Sequence, residues 1–183
     1  MVINKPLPVG QLWLAGLDDT SLGSISVAVT EKALVRVLLG SQDILRQEFS
    51  ATHRLIIQGN NPMLDRALEQ IDEYLRGKRR QFEIQLDWSN QAPFALKVLR
   101  ATYEIPYGEV ITYGDVARKI GHPSAAQAVG GALGRNRIPL IIPCHRVVNT
   151  RRHLHGFSAT GGLDTKAKLL RVEGHNIVDH QLV

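Results

Sequence analysis

The apolar residues of this chain change their spacing partway along, and that change restricts the fold more than any count does. Between residues 10 and 49 they come in short runs, QLWLAG, SISVAVT, ALVRVLL and ILRQEF, divided by Gly, Ser, Asp and Asn. Runs of that length with turn residues between them predict the strands of a small antiparallel sheet. The segment NPMLDRALEQIDEYLRGKR follows a helical rule instead. Asn61 is placed to cap it, Pro62 fits its first position, and Leu64, Leu68, Ile71 and Leu75 recur at helical spacing up to a stop near Gly77. FEIQLDWSNQAP alternates briefly and then turns, which predicts a strand and a link between about residues 82 and 92.

Beyond that link helical spacing dominates. Phe94, Val98, Leu99 and residues 101–103 outline an amphipathic helix that ends before Pro106. Thr112 suits the N-cap of YGDVARKIG, closed by Gly121, and Ser124 suits that of AAQAVGGALGRN. Two short helices joined by Gly-His-Pro-Ser predict a helix-turn-helix. The second is built from small residues: Ala125, Ala126, Ala128, Gly130, Gly131 and Ala132. A glycine inside a helix costs about 1 kcal/mol relative to alanine, so either tight core packing or close approach of another surface must offset it. The expected architecture is α/β of the α+β kind. A β-rich part with one helix occupies residues 1–90, and a mainly α part with a winged-helix-like helix-turn-helix occupies residues 91–183.

With 44% apolar residues among 183, the chain can bury a sizeable core. No stretch approaches the roughly 18 consecutive apolar residues of a membrane span, and MVINKPLPVG has no apolar run after its lysine, so the expectation is a soluble, cytoplasmic protein without a membrane partner. The net charge of +5 suits a nucleic-acid partner, although charge alone argues only for non-specific attraction. A single cysteine, Cys144, excludes an internal disulfide and a thiolate-rich structural zinc site, and no metal is expected.

Cys144 stands in PLIIPCHRVVN, which reads as an apolar strand, a proline break, Cys-His, and a second apolar strand. A cysteine between apolar runs is ordinarily an inert buried thiol. Its neighbours open a second reading. Pro143 breaks the strand, so Cys144 and His145 sit at a junction, and His145 and Arg146 would be costly to bury without partners. A thiol attacks as thiolate, and an imidazole oriented by an acid can take its proton. Adjacent side chains tend to point apart, so a water is expected to bridge Cys144 and His145.

The PCHRV core, preceded by ALGRN and followed by GGL, K, LL and EG, resembles the O6-alkylguanine-DNA alkyltransferases, also called methylated-DNA-protein-cysteine methyltransferases. The likeness runs from about Pro93 to His175; the N-terminal half fits that family's ribonuclease-H-like domain in size and layout. The resemblance implies irreversible, single-turnover transfer of an alkyl group from O6 of guanine, and from O4 of thymine, to Cys144. It implies no cofactor, and as partner double-stranded DNA carrying alkylated guanine, bound by a monomer through the minor groove with the base flipped out. The same resemblance makes His145 the base acting through a water, Glu173 its orienting acid, Asn136 the holder of the turn before the reactive segment, and Tyr113 the proton donor to the leaving guanine. Ser158 would donate to O6, and the carbonyls of Cys144 and Val147 would read the guanine amino group. Phe157 and Pro139 would set the width of the pocket. Gln127, Ala125, Ala126, Ala128, Gly130, Gly131 and Arg135 would meet DNA, with Gln127 standing where the family usually has arginine. A face of small residues suits a minor groove roughly 6 Å wide. A lesion-binding module without repair and a cysteine hydrolase are the alternatives; relatives of the first kind lack the cysteine, and the adjacent Cys-His pair is unlike the separated pairs of the second.

Overall fold

The structure is a computed structural model that describes residues 11–50, 55–57 and 60–183, with the backbone alone for 55–57. MVINKPLPVG, read as free of a targeting signal, lies outside the described residues. The chain opens with antiparallel strands β1 (Gln11–Thr20), β2 (Gly23–Val29) and β3 (Leu34–Leu39). β2 is buried along most of its length because both faces are covered: Ile25, Val27 and Val29 enter the main core and Ala28 a second cluster. That second cluster explains a correction. ILRQEF, expected as a strand, is helix α1 (Gln42–Ser50), whose buried residues Leu45 and Phe49 are four apart and pack with Leu12, Leu14 and Ala28. The chain then returns as β4 (Leu55–Ile57), parallel to β1, so the order β3-β2-β1-β4 makes the sheet mixed and not purely antiparallel as expected.

Helix α2 (Pro62–Leu75) covers the main-core face, and Asn61 caps it by accepting from the backbone N–H of Met63 and Leu64 at 3.0 and 3.2 Å. Its buried side is Leu64, Ala67, Gln70, Ile71 and Tyr74, so the face is turned from the expected one and Leu68 and Leu75 are half-buried. The strand expected in FEIQLDW shrinks to one bridge between Leu86 and Leu34. The free edge of β3 has little room for more: Leu34 exchanges hydrogen bonds with Gln85 and Asp87, and the Val37 N–H already donates to the carbonyl of Arg137 at 3.0 Å.

Helix α3 (Pro93–Tyr103) leads to β5 (Ile111–Thr112), α4 (Tyr113–Lys119) and α5 (Ala126–Leu133), the last two forming the helix-turn-helix. Thr112 caps α4 in a reciprocal box with Asp115. Ser124 is exposed and does not cap α5; the cap position is Ala125, without a side-chain hydrogen bond. β6 (Val147–Val148) lies parallel to β5, and α6 (Gly162–Val172) is followed by the small hairpin β7 (Ile177–Val178) and β8 (Gln181–Leu182). One hydrophobic core runs from Ile25 to Leu169 through both parts. Among the described residues no helix is long and apolar enough to cross a membrane.

Candidate active site

Residues 140–142, expected as a strand, instead belong to a loop, 138–142, that folds around one amide side chain. Asn136 accepts from the Ile138 N–H at 3.0 Å and donates to the Ile142 carbonyl at 2.9 Å, while Leu140 takes a left-handed backbone at φ 73°. The four apolar side chains of this loop still reach the core. The same Asn136 amide donates to Cys144 Sγ at 3.3 Å, so the residue that closes the loop also touches the thiol.

Cys144, His145 and Arg146 form a single 3₁₀ turn after Pro143, and all three are buried. The charges that this turn buries meet at Glu173, the residue closing α6. Its Oε1 accepts from His145 Nε2 at 2.8 Å and from Arg146 Nη2 at 2.8 Å, and its Oε2 accepts from Arg146 Nε at 2.9 Å and Gly108 N at 3.2 Å. Arg146 also donates to the Ile105 carbonyl. Burial pushes the Glu173 carboxyl up, but His145 and Arg146 more than offset this and hold it well below the usual carboxylate range. Burial lowers the pKa of His145 against the opposing pull of Glu173, so the ring is neutral at pH 7. An ionised Glu173 accepts the Nε2–H, leaving Nδ1 as the basic nitrogen; Nδ1 is buried and has no hydrogen-bond partner among the described residues. Burial raises the pKa of Cys144, with Asn136 and Lys166 acting the other way. The resting pair is therefore a neutral thiol beside a neutral imidazole.

Cys144 is also part of the wall of a cleft of about 910 Å³ bordered by Tyr113, Gln127, Gly130, Gly131, Phe157 and Ser158. On its other side it meets a cavity of about 220 Å³ that includes Arg36, Arg135, Asn136 and Pro139. Phe157 and Ser158 border both. Tyr113 Oη donates to the His155 carbonyl at 2.7 Å, and burial, with the Cys144 thiolate second, pushes its pKa up to about 12. Gly130 lies against the Tyr113 ring, where a Cβ would sit 3.7 Å from Cε1, and Gln127, Ala128 and Gly131 are exposed. Of the small residues, Ala126, Gly130 and Gly131 thus face the cleft, while Ala132 is buried in the core.

The sequence-predicted residues divide accordingly. Cys144, His145, Glu173 and Asn136 form one contact network, Tyr113, Ser158 and Phe157 join them around the cleft, and Ala126, Gln127, Gly130 and Gly131 border its outer side. Arg135 and Pro139 belong to the smaller cavity, while Ala125 and Ala128 lie outside both linings. The carbonyls expected to read guanine are each engaged once: Cys144 O by the Val147 N–H, and Val147 O by Lys166 Nζ at 2.6 Å. A carbonyl has two lone pairs, so each retains one.

Sequence reasoning missed Lys166. It is fully buried, ties Val147 O to His155 O, and lies 5.8 Å from the centre of the Tyr113 ring; burial lowers its pKa to about 8 against the opposing pull of the Cys144 thiolate. Its signal was its place in TKAKLL, on the apolar side of an otherwise amphipathic helix.

Comparison with known proteins finds matches over both halves of the chain. Residues 93–175 match the family model described as 6-O-methylguanine DNA methyltransferase, DNA binding domain, and residues 13–88 match its ribonuclease-like domain. The constitutive methylated-DNA–protein-cysteine methyltransferase of Bacillus subtilis is 35% identical over 155 residues, covering 85% of this chain and 92% of that protein. The crystal structure of the O6-methylguanine methyltransferase of Mycobacterium tuberculosis superposes with a TM-score of 0.74 at 34% identity, over 88% of this chain and 92% of that one. A structure of the Mycobacterium tuberculosis protein in complex with DNA matches with the same TM-score at 32% identity, over 89% of this chain and 92% of that one.

Proposed function

We propose, from the premise that this chain belongs to the 6-O-methylguanine DNA methyltransferase family, that Cys144 accepts an alkyl group from O6 of a damaged guanine. The protein is a DNA-repair methyltransferase whose acceptor is a cysteine of its own, and its partner is DNA. The chain has one cysteine, so the acceptor has one candidate. The observation that carries the assignment is the setting of that thiol: it forms part of an open cleft wall while its neighbour His145 is held, neutral, by Glu173.

In the reaction a water bridges Sγ and His145 Nδ1 and carries the thiol proton to the ring as Sγ attacks the alkyl carbon. The S–C bond forms, the C–O6 bond breaks, and the electron pair goes to the purine. Tyr113, whose phenol stays protonated at neutral pH, gives up its bond to His155 O and protonates the leaving base. Protonated Lys166 near the sulfur stabilises the thiolate as it forms. The thioether has no route back to a thiol, so each chain reacts once. The base reaches the cleft flipped out of a duplex gripped at its minor groove by α5, and Ser158 donates to O6. The chain acts as a monomer, and its parts, residues 1–90 and 91–183, share one core.

The test is to incubate the full chain with duplex DNA containing O6-methylguanine and weigh the intact protein and its peptides. One methyl on the Cys144 peptide, never more than one per chain, is expected. Unmodified protein that still shifts the lesion DNA overturns the reading in favour of a binding module, and repeated turnover on an ester in favour of a hydrolase.

A further inference from the structure

The side chains described above as hydrogen-bonded to Cys144, His145 and Glu173 come from residues 136–173. Among the described residues one more arrives from the N-terminal half. Tyr74, on α2, is fully buried; its hydroxyl donates to Glu173 Oε1 at 2.6 Å and stands 3.2 Å from His145 Nε2. Packing fixes the direction of that hydroxyl, because Phe82 lies tilted at 5.3 Å between ring centres and Tyr107 edge-on at 6.2 Å. Phenylalanine would fill the same space without a buried hydroxyl to satisfy. The extra oxygen has a partner only because it reaches the relay.

We propose that Tyr74 is a positioning residue for the transfer reaction: its hydroxyl fixes Glu173 Oε1 so that His145 is kept in the Nε2–H tautomer with Nδ1 as the base. This rests on the alkyl-transfer reading given above. Two effects follow from the shared oxygen. Holding Oε1 in line with Nε2 fixes the ring's orientation, since among the described residues Glu173 is the only acid that accepts a hydrogen bond from the ring. The second effect is electrostatic. Each donor on a carboxylate weakens it as an acceptor for the others, so Tyr74 limits how far Glu173 stabilises the imidazolium. The other charged or titratable groups around His145 are Arg146, Lys166 from α6 and the thiol of Cys144, with Tyr107 behind Tyr74. Of these only Tyr74 donates to the same oxygen from the N-terminal part.

The direction of the effect can be worked out. Removing the Tyr74 hydroxyl leaves Glu173 with one donor fewer and more basic, which favours protonated His145. The 3.2 Å contact to Nε2 is lost too and acts the other way, but it is the longer and weaker of the two. In Tyr74→Phe the acid limb of the single-turnover rate, measured with O6-methylguanine duplex from pH 5 to 9, should move up by roughly half a unit to one unit. Nitrogen NMR of the resting variant should show His145 titrating higher by the same amount, with Nδ1–H tautomer appearing. Replacing Tyr74 by 3-fluorotyrosine, which keeps the bulk and makes the hydroxyl a stronger donor, should move both readouts the other way. A rate lowered equally at every pH, or a His145 titration unmoved in both variants, would overturn the proposal. The NMR arm needs no transfer, so failure of the wild-type chain to accept an alkyl group stays distinguishable from failure of the Tyr74 assignment.

Discussion

The two sides of Cys144 are built by opposite rules. Behind it stand His145, Arg146, Glu173, Tyr74 and Lys166, all buried, and of their buried side-chain polar atoms only His145 Nδ1 lacks a partner among the described residues. In front of it α5 offers Gln127, Ala128 and Gly131 to solvent. A buried ionic network tolerates little change, because removing one member strands the rest. An exposed helix of small residues forms few bonds of its own and is shaped for what approaches it. Substitutions on the two sides should therefore fail differently: behind the thiol they cost stability and chemistry together, in front they cost recognition alone.

The largest effect expected is that of Cys144→Ala. Transfer should vanish while lesion DNA is still shifted on a gel, since the thiol makes one side-chain hydrogen bond and the cleft surface is otherwise intact. Loss of DNA binding together with transfer would mean that the two sides are not separable. Glu173→Gln comes next. The amide keeps the volume but leaves Arg146 buried without its counter-charge, which is expected to cost about 3–5 kcal/mol in unfolding free energy. It also lets His145 take either tautomer, so transfer should fall by roughly a hundredfold or more at a temperature where the variant remains folded. Denaturant melts and single-turnover rates measure the two losses separately.

Acidification tests the rear side without mutation. His145 and Glu173 both have folded pKa values below their unfolded ones, His145 because burial disfavours its charge and Glu173 because His145 and Arg146 outweigh burial. Each therefore contributes stability that is present above its unfolded pKa and is lost as pH falls. Stability should decline once pH drops below about 6.5 and decline again below about 4.3, the ordinary values for the two side chains. In the proposed reaction transfer needs the neutral imidazole, so its rate should persist below pH 6.5 and fall only at the lower, folded pKa of His145. A stability curve flat from pH 7 to 4 would show that the buried network is not linked to protons in this way.

The same division explains what the sequence disclosed. Cys144, His145, Asn136 and Glu173 were legible because they sit in short motifs whose chemistry and family likeness are local. Tyr74 was not, because it acts through a residue 99 positions away, and Lys166 was not, because the motif that contains it does not say which carbonyls its ammonium ties together. The fold followed a similar pattern. The helix after Asn61 and the Thr112 cap were readable from spacing and capping chemistry, whereas ILRQEF matched a strand as well as a helix until the sheet gave Leu45 and Phe49 a face to cover. Residues 140–142 were read as a strand because apolar content is blind to a side chain such as Asn136 that supplies the backbone partners a sheet would have given.

The smallest effect belongs to the front side and to one residue. Gln127 is exposed on α5 at the rim of the cleft, where the family usually presents an arginine. Glutamine can hydrogen-bond the edge of the base left behind by flipping, but it has no charge and a smaller planar group for stacking in the emptied stack. Gln127→Arg should raise the transfer rate on duplex DNA a few fold and tighten binding mainly at low salt, since one added cation near the phosphates steepens the salt dependence by about one counterion. Transfer from the free O6-methylguanine base, which needs no flipping, should not change. Equal acceleration on both substrates would mean that Gln127 acts on the chemistry behind the thiol, and the separation of the two sides would fail at the residue where it is easiest to test.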